Sequence, residues 1–488
     1  MNGKAKSAVG ALVWLVSLAV LLYGPGQSDF AFLLPAYAAA FGAYLYLLKC
    51  MRQLPLSYLL TLAVVARLLA VPAWPQLSDD IYRFIWDGRL LVQGWNPFEY
   101  LPSYYLSLDH PPDGITSALY EKLNSPEYFT VYPPVAQAVF ALGAWLFPNS
   151  LWGHTLVIKF FLLACAFGTI LLLPKMMQRL GLPQYRAAIY LLNPLVIVEI
   201  MGNLHFEGAM VFFLLLAFWW LSSGRWKWSA VAMSFSIAAK LLPLMFLPFF
   251  VKLLGWRRSL TYFFMIGMLV LLLFAPLFSV AFITGFSSSL DLYFRQFEFN
   301  ASVYYLLRWV GYQITGYNEI ALIGPALALC TFVGIVLAAA FQKRNFPLLP
   351  ADVASSEVVP TSSSRRSFQR SRAHFPLPTS HFPLPTSHFP LPNSHFLFAI
   401  TLYLAFSPTV HPWYVCLPLF LCGFTSFRYP VVWSGLIMLT YINYSYQPYW
   451  ENLWIVAFEY LAVAGYLLWE WRATKKGTPL QHSLFSTR

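Results

Sequence analysis

Long apolar runs recur from one end of this chain to the other, and they constrain the fold more than any motif does. Hydrophobic residues make up 59% of the 488 residues, charged residues only 10%, and the mean hydropathy is +0.61. A soluble core cannot cover that much apolar surface, whereas helices in a bilayer present it to lipid. The sequence therefore predicts an all-α, polytopic transmembrane bundle and excludes a water-soluble globule.

Short clusters of Lys and Arg between the apolar runs predict the topology. Lys4 and Lys6 place the N-terminus in the cytoplasm, and the later clusters then fall on the same side. This bias explains the net charge of +12 without a nucleic-acid partner. The pattern predicts about fourteen spans, with both termini cytoplasmic and one large external loop at 75–153. The predicted spans are 8–23, 30–49, 54–73, 154–174, 186–201, 207–222, 228–239, 242–254, 259–280, 318–341, 395–409, 412–426, 430–447 and 452–471.

Residues 343–395 differ in kind from the rest of the chain. Ser and Pro dominate, and the heptapeptide HFPLPTS occurs twice before the variant HFPLPNS. Two prolines in every seven residues prevent a continuous helix, so a disordered cytoplasmic insert is predicted. It is either a tandem expansion without a catalytic role or an arm that binds a partner or anionic lipid. The insert separates a membrane core, 1–342, from C-terminal helices and a short basic tail, 396–488.

A charged stretch at 78–89 (SDDIYRFIWDGR) begins the predicted external loop. Ionisable groups beside a bilayer are costly, so they indicate a functional site unless pairing explains them. Ser78 is a predicted N-cap, and an Asp79–Arg83 or Arg83–Asp87 pair would account for part of the charge. The functional alternative makes Asp79 or Asp80 a general base that takes a proton from an acceptor hydroxyl. The sequence does not distinguish between the two explanations.

Further polar residues fall on the same predicted face of the membrane. Lys240 and Arg295 suit phosphate oxygens, while His205 and His411 suit hydrogen bonds to a leaving group that gains charge. Each also has a structural explanation: Lys240 snorkels, Arg295 pairs with Glu298, and His411 satisfies backbone at a turn. The candidate catalytic residues are Asp79 and Asp80. The candidate substrate-binding residues are Arg83, Asp87, Arg89, Tyr132, His205, Glu207, Lys240, Arg295, His411 and Tyr414.

No nucleotide-binding motif accompanies these residues: the chain has neither a Walker loop nor a dinucleotide fingerprint. Asp79, Asp80 and Asp87 suit a divalent cation, but the sequence gives no complete set of ligands. We therefore predict that no cofactor is required and leave a divalent cation open.

The order of motifs resembles the GT-C membrane glycosyltransferases, and within them the bacterial polyprenol-phosphate-mannose-dependent mannosyltransferases. The resemblance rests on SDDIYRFIWDGRLLVQGWNPF, VYPPVAQ, NPLVIVEIMGNLHFEG, AAKLLP and HPWY, in that order. It covers about residues 54–425 without the insert. The chain departs from the better-known members in its repeat insert and in two spans that precede the one delivering the acidic loop.

The resemblance implies an inverting transfer of a hexose, with mannose expected, from a polyprenyl-phosphate-linked donor. The acceptor would be a lipid or glycan at the extracytoplasmic face of the plasma (inner) membrane. It also implies that Asp79 or Asp80 is the base, that Lys240 and Arg295 hold the donor phosphate, and that 131–148 contains a juxtamembrane helix.

Two other classes of membrane protein remain as alternatives to an enzyme. A transporter or lipid flippase has as many spans, but it would carry inverted repeats and polar sites at mid-membrane. A scaffold protein would tolerate both Asp79→Asn and Asp80→Asn.

Overall fold

The computed structural model describes residues 3–342 and 393–475. In these ranges all secondary-structure elements are helices. Within the same ranges the backbone forms β-type hydrogen bonds at one place only, an isolated parallel bridge between Phe299 and Thr409. The prediction of an all-α fold is confirmed. Most of the predicted insert (343–392) and of the basic tail (476–488) lies outside the described residues, and the helix that follows the insert begins at Asn393.

The N-terminal half contains twelve α-helices, and the longest of them are strongly apolar. They are α1 Gly3–Tyr23, α2 Phe30–Cys50, α3 Leu56–Ala70, α4 Asp80–Val92, α5 Pro102–Leu106, α6 Ser117–Tyr120, α7 Pro134–Leu146, α8 Leu151–Arg179, α9 Ala188–Leu191, α10 Pro194–Val196, α11 Glu207–Ser222 and α12 Trp226–Ala239. A 3₁₀ turn, Gln184–Ala187, leads into α9, and a π-helical segment, Ile197–Gly202, continues α10. Helix α7 lies inside the range predicted for a juxtamembrane helix.

Nine further α-helices follow. They are α13 Leu247–Leu254, α14 Trp256–Phe274, α15 Val280–Arg295, α16 Val303–Thr315, α17 Ile320–Phe341, α18 Asn393–Phe406, α19 Cys416–Cys422, α20 Tyr429–Leu436 and α21 Leu453–Lys475. Four 3₁₀ segments join some of them: Leu242–Phe246, Ala275–Leu277, Pro412–Val415 and Ile437–Ser445.

Six helices of the described residues are long and apolar enough to cross a bilayer, or seven if the bent pair Gln184–Leu191 and Pro194–Gly202 counts as one span. The chain is therefore a membrane protein, as predicted. The predicted number of fourteen is not confirmed. Each predicted span has a helical counterpart, but several, such as α3 and α11, have fewer than the roughly 20 residues that span a hydrocarbon core.

Helix α4 carries most of the charged stretch and packs closely against α7. A Cβ on Gly88 would lie 2.3 Å from the backbone oxygen of Phe140, so only glycine permits this approach. One turn earlier, the rings of Phe84 and Phe140 stack with centroids 4.4 Å apart. Close packing of α4 on α7 therefore fixes where the acidic N-terminus of α4 lies.

The N-terminus of α4 differs by one residue from the prediction. Its N-cap is Asp79, whose side chain makes no capping hydrogen bond, while the hydroxyl of Ser78 accepts a long one, 3.4 Å, from the amide of Asp80. A bend before the helix moves the cap one residue along the chain. The carboxylate of Asp79 is consequently not used as a cap.

Lys159 of α8 joins the two segments that deliver the polar residues. Its fully buried ammonium donates to the backbone oxygen of Ala70 at 2.9 Å and to that of Met201 at 2.7 Å. These carbonyls lie where α3 and the π-helical segment end, and helix C-termini leave such oxygens without partners. One cation therefore holds together the chain just before Asp79 and the chain just before His205.

Candidate functional site

A polar cavity of about 310 Å³ lies at the N-terminus of α4. Its wall is built from α4, the segment before α7, the loop before α11, the end of α12, and the turn before α19. Residues far apart in the sequence thus meet in one place. The predicted site residues that line it are Asp79, Asp80, Arg83, Tyr132, His205, Lys240, His411 and Tyr414.

The two acidic candidates have different surroundings. One oxygen of Asp80 accepts a hydrogen bond from the Asn124 amide at 2.7 Å, and the other lies 3.9 Å from Nδ1 of His205. Asp79 is more exposed, and its carboxylate makes no hydrogen bond or ion pair with any residue that the structure describes. Partial desolvation and the neighbouring charge of Asp80 raise the pKa of Asp79. Asp80 is the oriented carboxylate, and Asp79 is the unengaged one.

His205 lies between Asp80 and a buried acid. Its Nε2 is 3.3 Å from a carboxylate oxygen of Glu199, and Glu199 accepts hydrogen bonds from Asn203 and Tyr441 at 3.1 and 3.0 Å. The residue before it, Leu204, has a φ of 68°, a left-handed conformation that is strained for a branched side chain. Strain of this kind persists where surrounding contacts enforce it. The π-helical segment and Glu199 therefore hold the imidazole against Asp80.

The turn before α19 contributes a stack of aromatic rings. Trp413 lies between two imidazoles, with ring centroids 3.7 Å from His205 and 4.4 Å from His411. Phe299 packs on His411 from the other side, at 4.9 Å. Desolvation and the nearby His205 and Lys240 lower the pKa of His411 to about 3. His411 is therefore neutral at physiological pH and offers hydrogen bonds rather than charge.

Lys240 supplies a positive charge at another wall of the cavity. It follows the last residue of α12, and its ammonium lies 2.7 Å from the buried carboxylate of Glu207 and 5.4 Å from the ring centre of Tyr414. A quarter of the Lys240 side chain is exposed, whereas Glu207 is fully buried. Glu207 therefore supports Lys240 from behind and does not line the cavity.

Asp87 is a structural residue, although the sequence marked it as a candidate ligand. It is fully buried, accepts hydrogen bonds from Thr130 and Gln137, and pairs with Arg83 at 2.9 Å. Arg83 also donates to the backbone oxygen of Tyr128 at 2.9 Å. Of the two predicted pairs, the structure contains Arg83–Asp87. It fixes the cavity wall at 124–132 onto α4.

Asp87→Ala is expected to lower the free energy of unfolding by about 3–5 kcal/mol, because it leaves the Arg83 guanidinium buried without its partner. The measurement is the thermal midpoint of the purified protein in detergent. Asp113→Ala, an exposed acid in the same region, is the matched control and should leave the midpoint unchanged. Equal midpoints for Asp87→Ala and the native chain would contradict this structural role.

Two predicted basic ligands lie elsewhere. Arg89 donates to the backbone oxygens of Gly114 at 2.7 Å and Pro148 at 3.0 Å, so it holds the loop after α4. Arg295, at the exposed end of α15, pairs with Asp291 at 3.4 Å and not with Glu298. Neither lines the cavity.

A larger, mostly apolar cavity of about 520 Å³ adjoins the polar one. The two share Val131, Tyr132, Lys240 and Tyr414. Half of the other lining residues come from the 3₁₀ segment Leu242–Phe246 and from α17. An apolar space therefore opens directly beside the cation of the polar cavity.

Several residues of the site were not among the candidates. They are Gln27, Asn124, Glu199, Trp413 and Tyr444. Glu199 could have been predicted from the sequence, because an acidic residue inside the apolar run NPLVIVEIMG indicates a functional site. The sequences around Gln27 and Tyr444 contain no motif that marks them. Only the fold brings these two residues to the cavity.

Within the ranges that the structure describes, no group of three or more His, Cys, Asp or Glu side chains is arranged to hold a metal ion. Asp87 faces Arg83 and does not join Asp79 and Asp80 as a third carboxylate.

Comparison with known proteins gives one match. Residues 11–256, just over half of the chain, match the family model for the N-terminal domain of alpha-(1->6)-mannopyranosyltransferases. The matched range includes the charged stretch, α4, His205 and Lys240. No curated protein and no solved structure matches the chain.

Proposed function

Since the chain belongs to the alpha-(1->6)-mannopyranosyltransferase family, we propose that it transfers mannose from a polyprenyl-phosphate-linked donor to a lipid or glycan acceptor, with inversion. Membership of this family means that the protein is a membrane glycosyltransferase and that its substrates are a sugar donor and an acceptor. The lipid-linked donor, the inversion and the aspartate base are the proposed parts. The family match also favours transfer over a transporter or flippase.

One observation carries the proposal for the donor: the polar cavity and the apolar cavity meet at Lys240 and Tyr414. A polyprenyl-phosphate sugar is divided in the same way into an apolar and a polar part, because its isoprenoid chain is joined through a phosphate to a hexose. The chain would occupy the apolar cavity, the phosphate would contact Lys240, and the sugar would extend toward the aspartates. A nucleotide sugar has no long apolar chain that could fill the apolar cavity.

Lys240 supports departure of the phosphate. As the bond from the anomeric carbon to the phosphate oxygen breaks, negative charge collects on that oxygen, and an ammonium positioned beforehand stabilises it. Glu207 keeps Lys240 oriented, at 2.7 Å. His411, held neutral, supplies a further hydrogen bond.

An aspartate accepts the proton of the attacking hydroxyl. Asp80 has the oriented geometry, with Asn124 on one oxygen and His205 near the other. The raised pKa of Asp79 and its carboxylate, which no described residue engages, favour proton acceptance. Both aspartates are therefore proposed as the base: the hydrogen bond from Asn124 orients Asp80, and the raised pKa favours Asp79.

The basic clusters support a proposal for the side of the membrane. The positive-inside rule places both termini in the cytoplasm and the charged stretch outside, so we propose an extracytoplasmic active site in the plasma membrane. A polyprenyl-phosphate donor fits this side, because the reaction needs no cytoplasmic nucleotide.

Transfer is tested with membranes that contain the full chain, labelled polyprenyl-phosphate-mannose and an octyl-linked α-(1→6)-mannoside acceptor. Labelled product is expected with these membranes and not with membranes from the same host lacking the chain. Equal product in both would contradict the proposal.

The pH profile distinguishes the two aspartates. A base works only when ionised, so activity is lost as the pH falls through its pKa. If Asp79 is the base, its raised pKa puts this loss above the usual aspartate range, and Asp80→Asn shifts the loss to lower pH by removing the neighbouring charge. If Asp80 is the base, Asp80→Asn lowers kcat about 100- to 10,000-fold at every pH. Profiles of kcat against pH for both proteins decide between these results.

Ala328→Trp is expected to block the apolar cavity, which Ala328 lines from α17. It should lower kcat/KM for a long polyprenyl donor about tenfold or more and leave a two-isoprene analogue nearly unaffected, because only the long chain reaches this wall. Ala326→Trp, on the exposed side of the same helix, is the matched control. An equal loss with both donors would place the isoprenoid chain elsewhere.

A further inference from the structure

The polar cavity has two chemically different ends. One end is basic and adjoins the apolar cavity through Lys240 and Tyr414. The other end is acidic. It contains Asp79 and Asp80, and both carboxylates interact electrostatically with Tyr444. In a displacement with inversion, the acceptor hydroxyl and the leaving phosphate lie on opposite sides of the anomeric carbon. If the donor phosphate lies at the basic end, the acceptor must approach from the acidic end.

The turn between α1 and α2 brings a polar side chain to this end. Gln27 lines the cavity, and its amide makes no hydrogen bond with the part of the chain that the structure describes. The turn is fixed: the amide of Gly26 donates to Asp29 at 2.8 Å, and the Tyr23 hydroxyl donates to the backbone of Leu69 at 2.6 Å. The turn thus holds in place a side-chain amide that can donate and accept hydrogen bonds and that has no partner among the described residues.

Tyr444 supplies the second such group. It belongs to the 3₁₀ segment Ile437–Ser445, and its ring is supported by Tyr441 at 5.8 Å and Tyr449 at 5.8 Å. Its hydroxyl makes no hydrogen bond with a described residue. An aromatic face suits a sugar ring, and a hydroxyl and an amide that no described residue engages suit the sugar hydroxyls.

The same two segments also line a surface depression of about 590 Å³. Gln27 and Tyr444 line the cavity, whereas their neighbours in the sequence line the depression. Those neighbours are Gly24, Ser28, Asp29, Phe30, Ala31, Phe32, Ile442, Ser445 and Tyr446. The depression has room for sugar units beyond the one that reacts.

We propose that Gln27 and Tyr444 form the acceptor subsite and that it takes the terminal sugar of a glycan, whose preceding units lie in the depression. This inference rests on the proposed function. The acceptor hydroxyl forms the new bond to the anomeric carbon as the carbon–oxygen bond to phosphate breaks. Its proton passes to the aspartate, and polyprenyl phosphate leaves with the bonding electron pair. Gln27 and Tyr444 position the acceptor and take no part in bond breaking.

The test separates acceptor from donor. With an octyl-linked α-(1→6)-mannotriose as acceptor, Gln27→Ala and Tyr444→Phe should each raise the acceptor KM about threefold to tenfold, the effect of one lost hydrogen bond. The donor KM should stay unchanged. Gln53→Ala, an exposed glutamine in the next interhelical connection, is the matched control. Binding of the mannotriose without donor, followed by saturation-transfer NMR, should weaken in the same two variants.

The outcomes distinguish this inference from the proposed function. An unchanged acceptor KM, or a raised donor KM alone, in both variants overturns the acceptor subsite while transfer itself stands. Mannotriose binding that depends on Gln27, in a protein that transfers no mannose from the lipid donor, supports the subsite and overturns the donor assignment. A native protein that neither binds the mannotriose nor transfers mannose overturns both.

Discussion

Exchanging Asp79 and Asp80 for asparagine, one at a time, is expected to lower kcat about 100- to 10,000-fold in one variant and far less in the other. Asparagine preserves size and most hydrogen bonding but cannot accept a proton. The loss should appear in kcat more than in KM, because the base acts on the acceptor hydroxyl in the transition state. Initial rates with saturating donor and acceptor measure it.

The control for this pair is Asp113→Asn, an exposed acid in the same loop that does not line the cavity. It should keep the native kcat. Native kcat in both Asp79→Asn and Asp80→Asn would show that neither carboxylate is the base, and the assignment of the cavity as the reacting centre would fail.

Lys240→Gln is expected to lower kcat about 100- to 1,000-fold, the effect of removing one group that stabilises developing charge in an enclosed site. Glutamine still donates hydrogen bonds, so the loss reports charge. The measurement is single-turnover transfer with the lipid donor, which separates the chemical step from product release.

The buried Glu207 requires a second variant, because Lys240→Gln leaves that carboxylate without its partner and lowers stability. The double variant Lys240→Gln/Glu207→Gln removes both charges and should recover the thermal midpoint without recovering kcat. Recovery of kcat in the double variant would show that Lys240 acts only by neutralising Glu207.

Much of the fold and part of the site could be predicted from the sequence. Apolar runs indicated membrane helices, since nothing else accommodates them. The charged stretch indicated Asp79, Asp80 and Arg83 because ionisable groups beside a bilayer are costly. The sidedness of the basic clusters grouped them with His205, Lys240 and His411, and all of these line one cavity in the structure.

The remaining errors have physical causes. Charge alone does not distinguish Asp87 from Asp80, since both lie on one helix, and only the packing of Gln137 and Thr130 shows that Asp87 is internal. Arg295 lay on the predicted external side, but its helix directs it toward Asp291. Gln27 and Tyr444 depend on contacts between segments over 400 residues apart, which no local pattern reveals.

Helix length explains why the number of spans is not confirmed. Counting basic clusters assumes that each apolar run crosses the bilayer, yet α19 has seven residues and α12 fourteen. Short helices can be surrounded by other helices as well as by lipid. Helix length therefore gives six or seven spans, whereas the alternation of basic clusters gives about fourteen.

The central claim is a lipid-linked mannose donor that reacts with inversion, and one measurement tests it directly. Purified protein in liposomes receives the octyl-linked mannoside together with the α- or β-anomer of polyprenyl-phosphate-mannose, or with a nucleotide-linked mannose. Because the family forms α-(1→6) linkages, inversion requires a β-linked donor. We predict an α-linked product, identified by NMR, from the β-anomer alone. Product from the α-anomer, or from the nucleotide sugar without lipid donor, would contradict the claim.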